Sequence, residues 1–263
     1  MSNQRQTKNL GLNRSKDRER RISGGREGRS EGYDYELEIR DLINEHKEIG
    51  KTLIELKYNK RINEDLIKLK ATKLPEGKAG DVKIEWNNLF VGVDSKKPTG
   101  SNSTQWVRKR IHLFLEKANE REKEVFLRYF KYDKPRHGKR VFSFFTKEEE
   151  KIMFDYIDKE KITMIKERWD EDKTTWCDFL ITTSNEDGKR IIKVVFINDL
   201  LKNEIVLSKI KMKRTNYQFG KWIVFKPYGS HQPDLQFFIS KSVFNSKYGI
   251  HIDLEGNIIK NKT

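Results

Sequence analysis

The segment Gly80–Lys97 reads Gly-Asp-Val-Lys-Ile-Glu-Trp-Asn-Asn-Leu-Phe-Val-Gly-Val-Asp-Ser-Lys-Lys. Apolar and polar residues alternate on both sides of Asn87-Asn88, the period of strands with one face on a core. Asn tolerates positive φ, so the Asn pair predicts a two-residue hairpin turn. A turn there sets the register, because facing residue numbers then sum to 175. Trp86 faces Leu89, Ile84 faces Val91 and Val82 faces Val93, which makes one continuous apolar face. A slip of one residue would scatter these side chains over both faces. The opposite face carries Glu85 across from Phe90, Lys83 across from Gly92 and Asp81 across from Asp94. Lys96 lies two residues beyond Asp94 on that same face.

Two carboxylates facing each other across a hairpin have their Cβ atoms about 5 Å apart and repel. A divalent cation converts that repulsion into shared ligation. Lys96 adds an ammonium to the same face. Two carboxylates and a lysine form a set suited to phosphodiester hydrolysis. The acids hold Mg²⁺, the metal polarises the phosphate and acidifies an attacking water, and the lysine positions or deprotonates that water.

The charge balance agrees with such a substrate. The chain of 263 residues has 55 Lys and Arg against 40 Asp and Glu, a formal charge of +15. Clustered cations neutralise phosphates and release counterions, so a polyanionic partner is expected. Other classes are disfavoured. No stretch approaches the ~18 consecutive apolar residues of a membrane span, and the first residues hold no apolar core of a secretory signal. Cys177 is the single cysteine, which excludes an intrachain disulfide and a zinc knuckle or ribbon. The expectation is a cytoplasmic protein with no membrane partner and no small-molecule cofactor. The histidines (46, 112, 137, 231, 251) are scattered and are expected to be surface or structural residues.

Along the chain, residues 1–32 read as a basic, disordered arm, with nine Lys or Arg against three acids in the first 30 residues. Residues 33–140 read as the core that carries the hairpin. Residues 141–263 read as the remainder of the same domain or a strand-rich recognition region. The spacing of Tyr35, Ile39, Leu42 and Ile43 predicts a helix that Gly50 stops, followed by a strand over Thr52–Tyr58 and a short helix over 63–70. A long helix is expected over 103–130, capped by Ser103 or Thr104. A second is expected over 146–169. Strands are expected over Trp176–Thr183 and Arg190–Ile197, joined at Asn185–Gly188. Further strands are expected over Lys221–Lys226 and Leu235–Ser240, with a last hairpin around Gly256.

Asp81 with Asp94-Ser95-Lys96 resembles the PD-(D/E)XK nuclease motif, the core of most type II restriction endonucleases. Tyr35-Glu36 followed by Ile39 and Leu42/Ile43 is similar to the family's first helix, with Glu38 as the fallback acid. The resemblance covers roughly residues 33–130, and Gly80 stands where the family often has Pro. It implies an α/β core, with a central mixed sheet carrying the hairpin between helices. It implies catalytic Asp81, Asp94, Lys96 and Glu36. One or two Mg²⁺ ions would be held by Asp81, Asp94, Glu36 and the Ser95 carbonyl. It also implies a homodimer cutting double-stranded DNA at a specific sequence. Lys97, Gln105, Arg108 and Lys109 are candidates for contact with the DNA backbone. Lys213, Arg214 and Tyr217 form a basic-aromatic cluster suited to base or backbone contact. A structure-directed or viral nuclease on branched DNA or RNA, and a nucleic-acid-binding protein without catalysis, are the alternatives. Glu55-Leu-Lys57 with Asp41 is a rival motif. Its Asp41 sits in a helical pattern, so its acids would not be held face to face.

Overall fold

The computed structural model describes residues 31–63, 65–75, 80–98, 103–131, 145–169, 177–206, 210–213, 216–228 and 234–260. The first 30 residues of the basic arm, and Arg214, lie outside them. Helix α1 spans residues 31–45 and buries Tyr35, Ile39, Leu42 and Ile43, the expected stripe. The chain breaks at His46 and resumes as α2 (Lys47–Tyr58), which ends at Asn59 in the left-handed region. The strand expected over Thr52–Tyr58 is therefore helix. Ile49 and Leu53 recur at helical spacing, and with Ile54 they are buried in the core shared with the sheet. Gly50 does not stop the helix; it lets the helix approach closely. A Cβ there would stand 2.8 Å from the Leu69 side chain and 3.3 Å from that of Ile84.

The hairpin forms in the expected register. Strand β2 (Val82–Trp86) pairs antiparallel with β3 (Leu89–Ser95), joining Val82 to Val93, Ile84 to Val91 and Trp86 to Leu89. Asn87 takes φ 51° in the turn. Strand β1 (Lys70–Lys73) pairs with β2, so the described residues of the helix expected over 63–70 are irregular chain, a turn and the start of this strand. The Trp86 indole donates to the Asp65 carbonyl at 3.1 Å and ties that chain to the hairpin.

The expected helix over 103–130 is also corrected. Ser103–Arg110 is a strand, β4, followed by a single turn α3 (Ile111–Phe114) and by α4 (Glu120–Lys131). Thr104, Trp106 and Val107 favour extended backbone. β4 completes its ladder with β10 (Asp234–Ser240), more than a hundred residues later. α5 (Lys147–Trp169) follows as expected. β5 (Phe179–Glu186) and β6 (Lys189–Phe196) form the second expected hairpin, with Asp187 at φ 50° and Gly188 at φ 73°. α6 (Ile197–Leu201), β7 (Ile210–Lys213), β8 (Asn216–Phe219) and β9 (Ile223–Tyr228) precede β10, and the hairpin β11 (Gly249–Ile252) and β12 (Ile258–Lys260) ends the described chain.

The architecture is mixed α/β. One sheet of seven strands has the order β1-β2-β3-β5-β6-β11-β12, antiparallel except where β3 runs parallel to β5. Both halves of the sequence contribute to it. A second, antiparallel sheet has the order β4-β10-β9-β8-β7. Alternation along the large sheet feeds two cores. Val82, Val93, Phe179 and Ile181 pack with α1 and α2, whereas Leu180 and Val195 join α4, α5 and the second sheet. The second core is aromatic. Phe114 meets Phe126 and Tyr156 edge-on at centroid distances of 5.2 Å, and the Tyr156 hydroxyl donates to the Phe114 carbonyl at 2.6 Å. Among the described residues no helix is long and apolar enough to cross a membrane.

Candidate active site

The site forms where β2 and β3 open, away from their turn. Asp81 precedes β2, and its N–H donates to the Val93 carbonyl at 2.7 Å, so the ladder carries on to the acid. Gly80 makes that approach close: a Cβ there would lie 3.2 Å from the Val93 carbonyl oxygen. The Ser95 N–H and hydroxyl donate to Asp81 Oδ2 at 2.7 and 2.9 Å, which aims the carboxylate across the hairpin. Asp94 is opposite Leu180 in the parallel pair with β5, and the Lys96 N–H continues that pair by donating to the Ile181 carbonyl at 2.7 Å. Asp94 and Ser95 are buried, and the Lys96 ammonium donates to Asp94 Oδ1. The hairpin thus brings Asp81, Asp94, Ser95 and Lys96 together.

Electrostatically the site is unbalanced, with two carboxylates against one ammonium. Burial pushes the Asp94 carboxyl up to about 8. Lys96 opposes that rise, while the charge of Asp81 and a hydrogen bond between the two carboxyls add to it. Burial alone would lower the Lys96 ammonium, yet Asp94 and Asp81 outweigh it and hold the group above its ordinary value. Burial also pushes up the Cys177 thiol, with Asp94, Asp178 and Asp81 adding to the effect. Cys177 is buried, and its thiol donates to the Phe179 carbonyl at 3.2 Å.

Glu36 stands on α1. Its carboxylate meets the Lys73 ammonium at 2.7 Å. Burial raises the Glu36 carboxyl, Lys73 lowers it, and Asp81 and Lys96 act on it through their charges. Among the described residues no group of three or more His, Cys, Asp or Glu side chains is gathered as a metal site. Glu36 therefore does not join Asp81 and Asp94 as a third ligand in this arrangement. Glu38, the fallback, pairs instead with Arg190 on β6. The rival motif is dispersed along α1 and α2: Glu55 accepts from the Ile62 N–H at 2.6 Å, and Asp41 pairs with its neighbour Arg40.

The residues proposed for nucleic-acid contact separate into three groups. Lys97 follows the site and pairs with Glu31 at 2.9 Å. Gln105, Arg108 and Lys109 lie on β4, an edge strand of the second sheet, and not at the start of a helix. Lys213 ends β7 at the opposite edge of that sheet, so it shares no strand pair with them. Tyr217 is a correction. It is fully buried on β8 with its ring against Tyr129 and Phe225, and a ring enclosed in the core has no face for a base. Period-two alternation of Tyr217 with Phe219 would have placed it inward.

Sequence reasoning missed Lys73 and Asp178. Lys73 pairs with Val82, and the N–H of the next residue, Leu74, donates to the Asp81 carbonyl at 2.8 Å. Asp178 is buried where β5 begins, accepts the Gly92 N–H at 2.8 Å and faces the Lys57 ammonium at 3.4 Å. A lone Lys in a short strand and a lone Asp before an apolar run carry no local signal.

Oxygen donors from two carboxylates, left with an excess negative charge, fit the Mg²⁺ that the nuclease resemblance implies, since that ion takes one or two carboxylates and fills its octahedron with water and substrate phosphate. No family model and no curated protein matches the chain. Among solved structures the chain is similar to the HhaI endonuclease in complex with DNA. The identity is 12%, over 74% of this chain and 86% of that one, with a TM-score of 0.21, and so distant a likeness carries no argument about the site.

Proposed function

We propose that the chain is a Mg²⁺-dependent endonuclease that hydrolyses phosphodiester bonds of double-stranded DNA at a specific sequence. The observation that carries this reading is the Asp81–Asp94 pair, with Asp94 buried and Asp81 half-buried, held across the open end of a hairpin with the Lys96 ammonium on Asp94. Asp81, Asp94 and the Ser95 carbonyl are the residues that would hold the ion. When bound, the ion polarises the phosphate and lowers the pKa of the attacking water. Ser95 keeps Asp81 aimed through two hydrogen bonds. Lys96, held charged by its neighbours, orients the water and offsets charge on the phosphorane; removing a proton is the less suited part for it. Lys97, directly after the site, and the basic residues of the edge strand β4 are the candidates for contact with the flanking backbone. A homodimer would present two such sites to the two strands of a palindrome.

The test is purified protein with a long, sequence-diverse duplex, with Mg²⁺ or EDTA, beside Lys96→Ala. Discrete fragments in the wild-type Mg²⁺ lane alone are expected, and they would locate the recognition sequence. A mobility shift without cutting in any lane refutes duplex cleavage and directs the same assay to RNA and branched DNA.

A further inference from the structure

We propose that the cavity bounded by Lys221, Trp222, Ser242, Asn245, Ser246 and Lys247 grips a backbone phosphate of the DNA strand, a few nucleotides from the scissile bond. The proposal rests on reading the chain as a nuclease of duplex DNA and names a further contact with that partner. The cavity measures about 470 Å³ and lies between the turn that joins β8 to β9 and the 3₁₀ turn Lys241–Asn245. Its two lysines are placed alike. The Lys221 ammonium sits over the Trp222 ring, 4.5 Å from the centroid, and the Lys247 ammonium over the Tyr248 ring at 5.1 Å. An aromatic face attracts a cation without neutralising it. A lysine held on a ring has less rotamer freedom left to lose when an anion arrives. Among the described residues neither ammonium pairs with a carboxylate. Glu204 also lines the cavity, but it is buried with both oxygens on protein donors, the Tyr248 hydroxyl at 3.0 Å and the Lys221 N–H at 2.5 Å.

Pairing across the large sheet sets the cavity on the face that carries the acids. Asp94 stands beside Leu180 and Leu180 beside Val195; two residues along, Thr182 stands beside Lys193, so Asp94 and Lys193 share a face. Lys193 donates to Asn245 Oδ1 at 2.8 Å and so seats the 3₁₀ turn on that face. From β3 to β6 is two strand spacings, about 10 Å, which a nucleic-acid strand covers in about three nucleotides at a rise of ~3.4 Å. The way between is basic. Lys97 follows Lys96 directly, and Lys241 heads the 3₁₀ turn. Burial lowers the Lys241 ammonium, and the charge of Lys97 adds to it, so the two lysines stand within range of each other. A strand whose scissile phosphate lies at Asp81 and Asp94 passes Lys97 and Lys241 and reaches Lys221 and Lys247.

The experiment measures binding of a fluorescein-labelled duplex of mixed sequence by anisotropy, in EDTA and over a range of KCl, with folding checked by circular dichroism. Lys221→Met/Lys247→Met is expected to weaken binding about tenfold or more and to reduce the slope of log Kd against log salt by about one to two. Lys221→Arg/Lys247→Arg keeps both charges and should bind like wild type. Lys151→Met/Lys189→Met removes the same charge from exposed positions elsewhere and should shift Kd by less than about twofold. Wild-type affinity and slope in a folded Lys221→Met/Lys247→Met, or an equal loss in Lys151→Met/Lys189→Met, would overturn the proposal, while cleavage by wild type in Mg²⁺ would leave the nuclease reading standing. Inorganic phosphate bound by wild type and not by Lys221→Met/Lys247→Met, with duplex binding equal in the two, would make the cavity a small-anion site and overturn it as well. A wild type that binds without cutting, beside a cavity variant that binds poorly, would uphold the phosphate contact and sink the cleavage. No duplex binding by wild type would sink both.

Discussion

The β2–β3 and β5–β6 hairpins are neighbours in one sheet and are built alike. Each turns through two residues, with Asn87 in one and Asp187 in the other at nearly the same positive φ. β2–β3 sets its buried apolar residues on one face of the sheet, and β5–β6 sets them on both. They differ in what they do with buried charge. In β5–β6 every buried charged group has its complement. Lys193 holds Glu186 at 2.5 Å and Asn245 at 2.8 Å. Asp178, at the open end, has the Gly92 N–H and the Lys57 ammonium. In β2–β3 the open end sets two carboxylates against one lysine. The backbone device is common to both; two facing carboxylates make only one of them a candidate site. Frustration kept inside an otherwise satisfied sheet marks function because stability alone would remove it.

That contrast is broken most directly by removing the frustrated acid. Asp94→Asn is expected to lower Mg²⁺-dependent cleavage by at least about a thousandfold, because a metal's share of transition-state stabilisation is several kcal/mol and each 1.36 kcal/mol is about tenfold. Gel-shift binding of the same duplex should persist. Full cleavage by Asp94→Asn would refute the assignment.

On the satisfied side the expected damage is to stability. Lys57→Met leaves Asp178 buried without its cation and should cost up to about 3 kcal/mol in urea unfolding.

Acidity separates the two hairpins further. The Asp94 carboxyl is pushed up to about 8 in the fold, above its ordinary 3.8. Between those values the folded chain binds more protons than the unfolded one, so this group's contribution to stability falls as pH rises. Without metal, the melting temperature of Asp94→Asn minus that of wild type should grow from pH 4 to pH 8. A divalent ion displaces the retained proton, so the Mg²⁺ concentration for half-maximal cleavage should fall over the same range.

The smallest effects are in the turns. Asn87→Ala and Asp187→Ala each place a Cβ residue without a local polar partner in the left-handed region and should each cost about 1 kcal/mol. Only the first should also slow cleavage, because only its register sets two acids face to face.

The hairpin was legible from residues 80–97 alone, down to each facing pair, because period-two alternation around an Asn pair leaves a single register that buries one face. The same logic placed the β5–β6 hairpin, and the helical stripe of α1 was equally local. The failures were of one kind. Thr52–Tyr58 and Ser103–Arg110 are short runs with apolar residues at ambiguous spacing, and their state was settled by distant partners. α2 is a helix because it lies on the hairpin, close enough for Gly50 to matter. β4 is a strand because β10 pairs with it. The site divides in the same way. Sequence by itself determined Asp81, Asp94 and Lys96 as one constellation, since strand geometry carries facing residues to the same place. Only the tertiary structure decided that Glu36 turns to Lys73, that Asp178 is satisfied by Lys57 and that Tyr217 faces inward among aromatic rings. Those outcomes depend on which charge or ring meets which across the fold, and no spacing along the chain encodes that meeting.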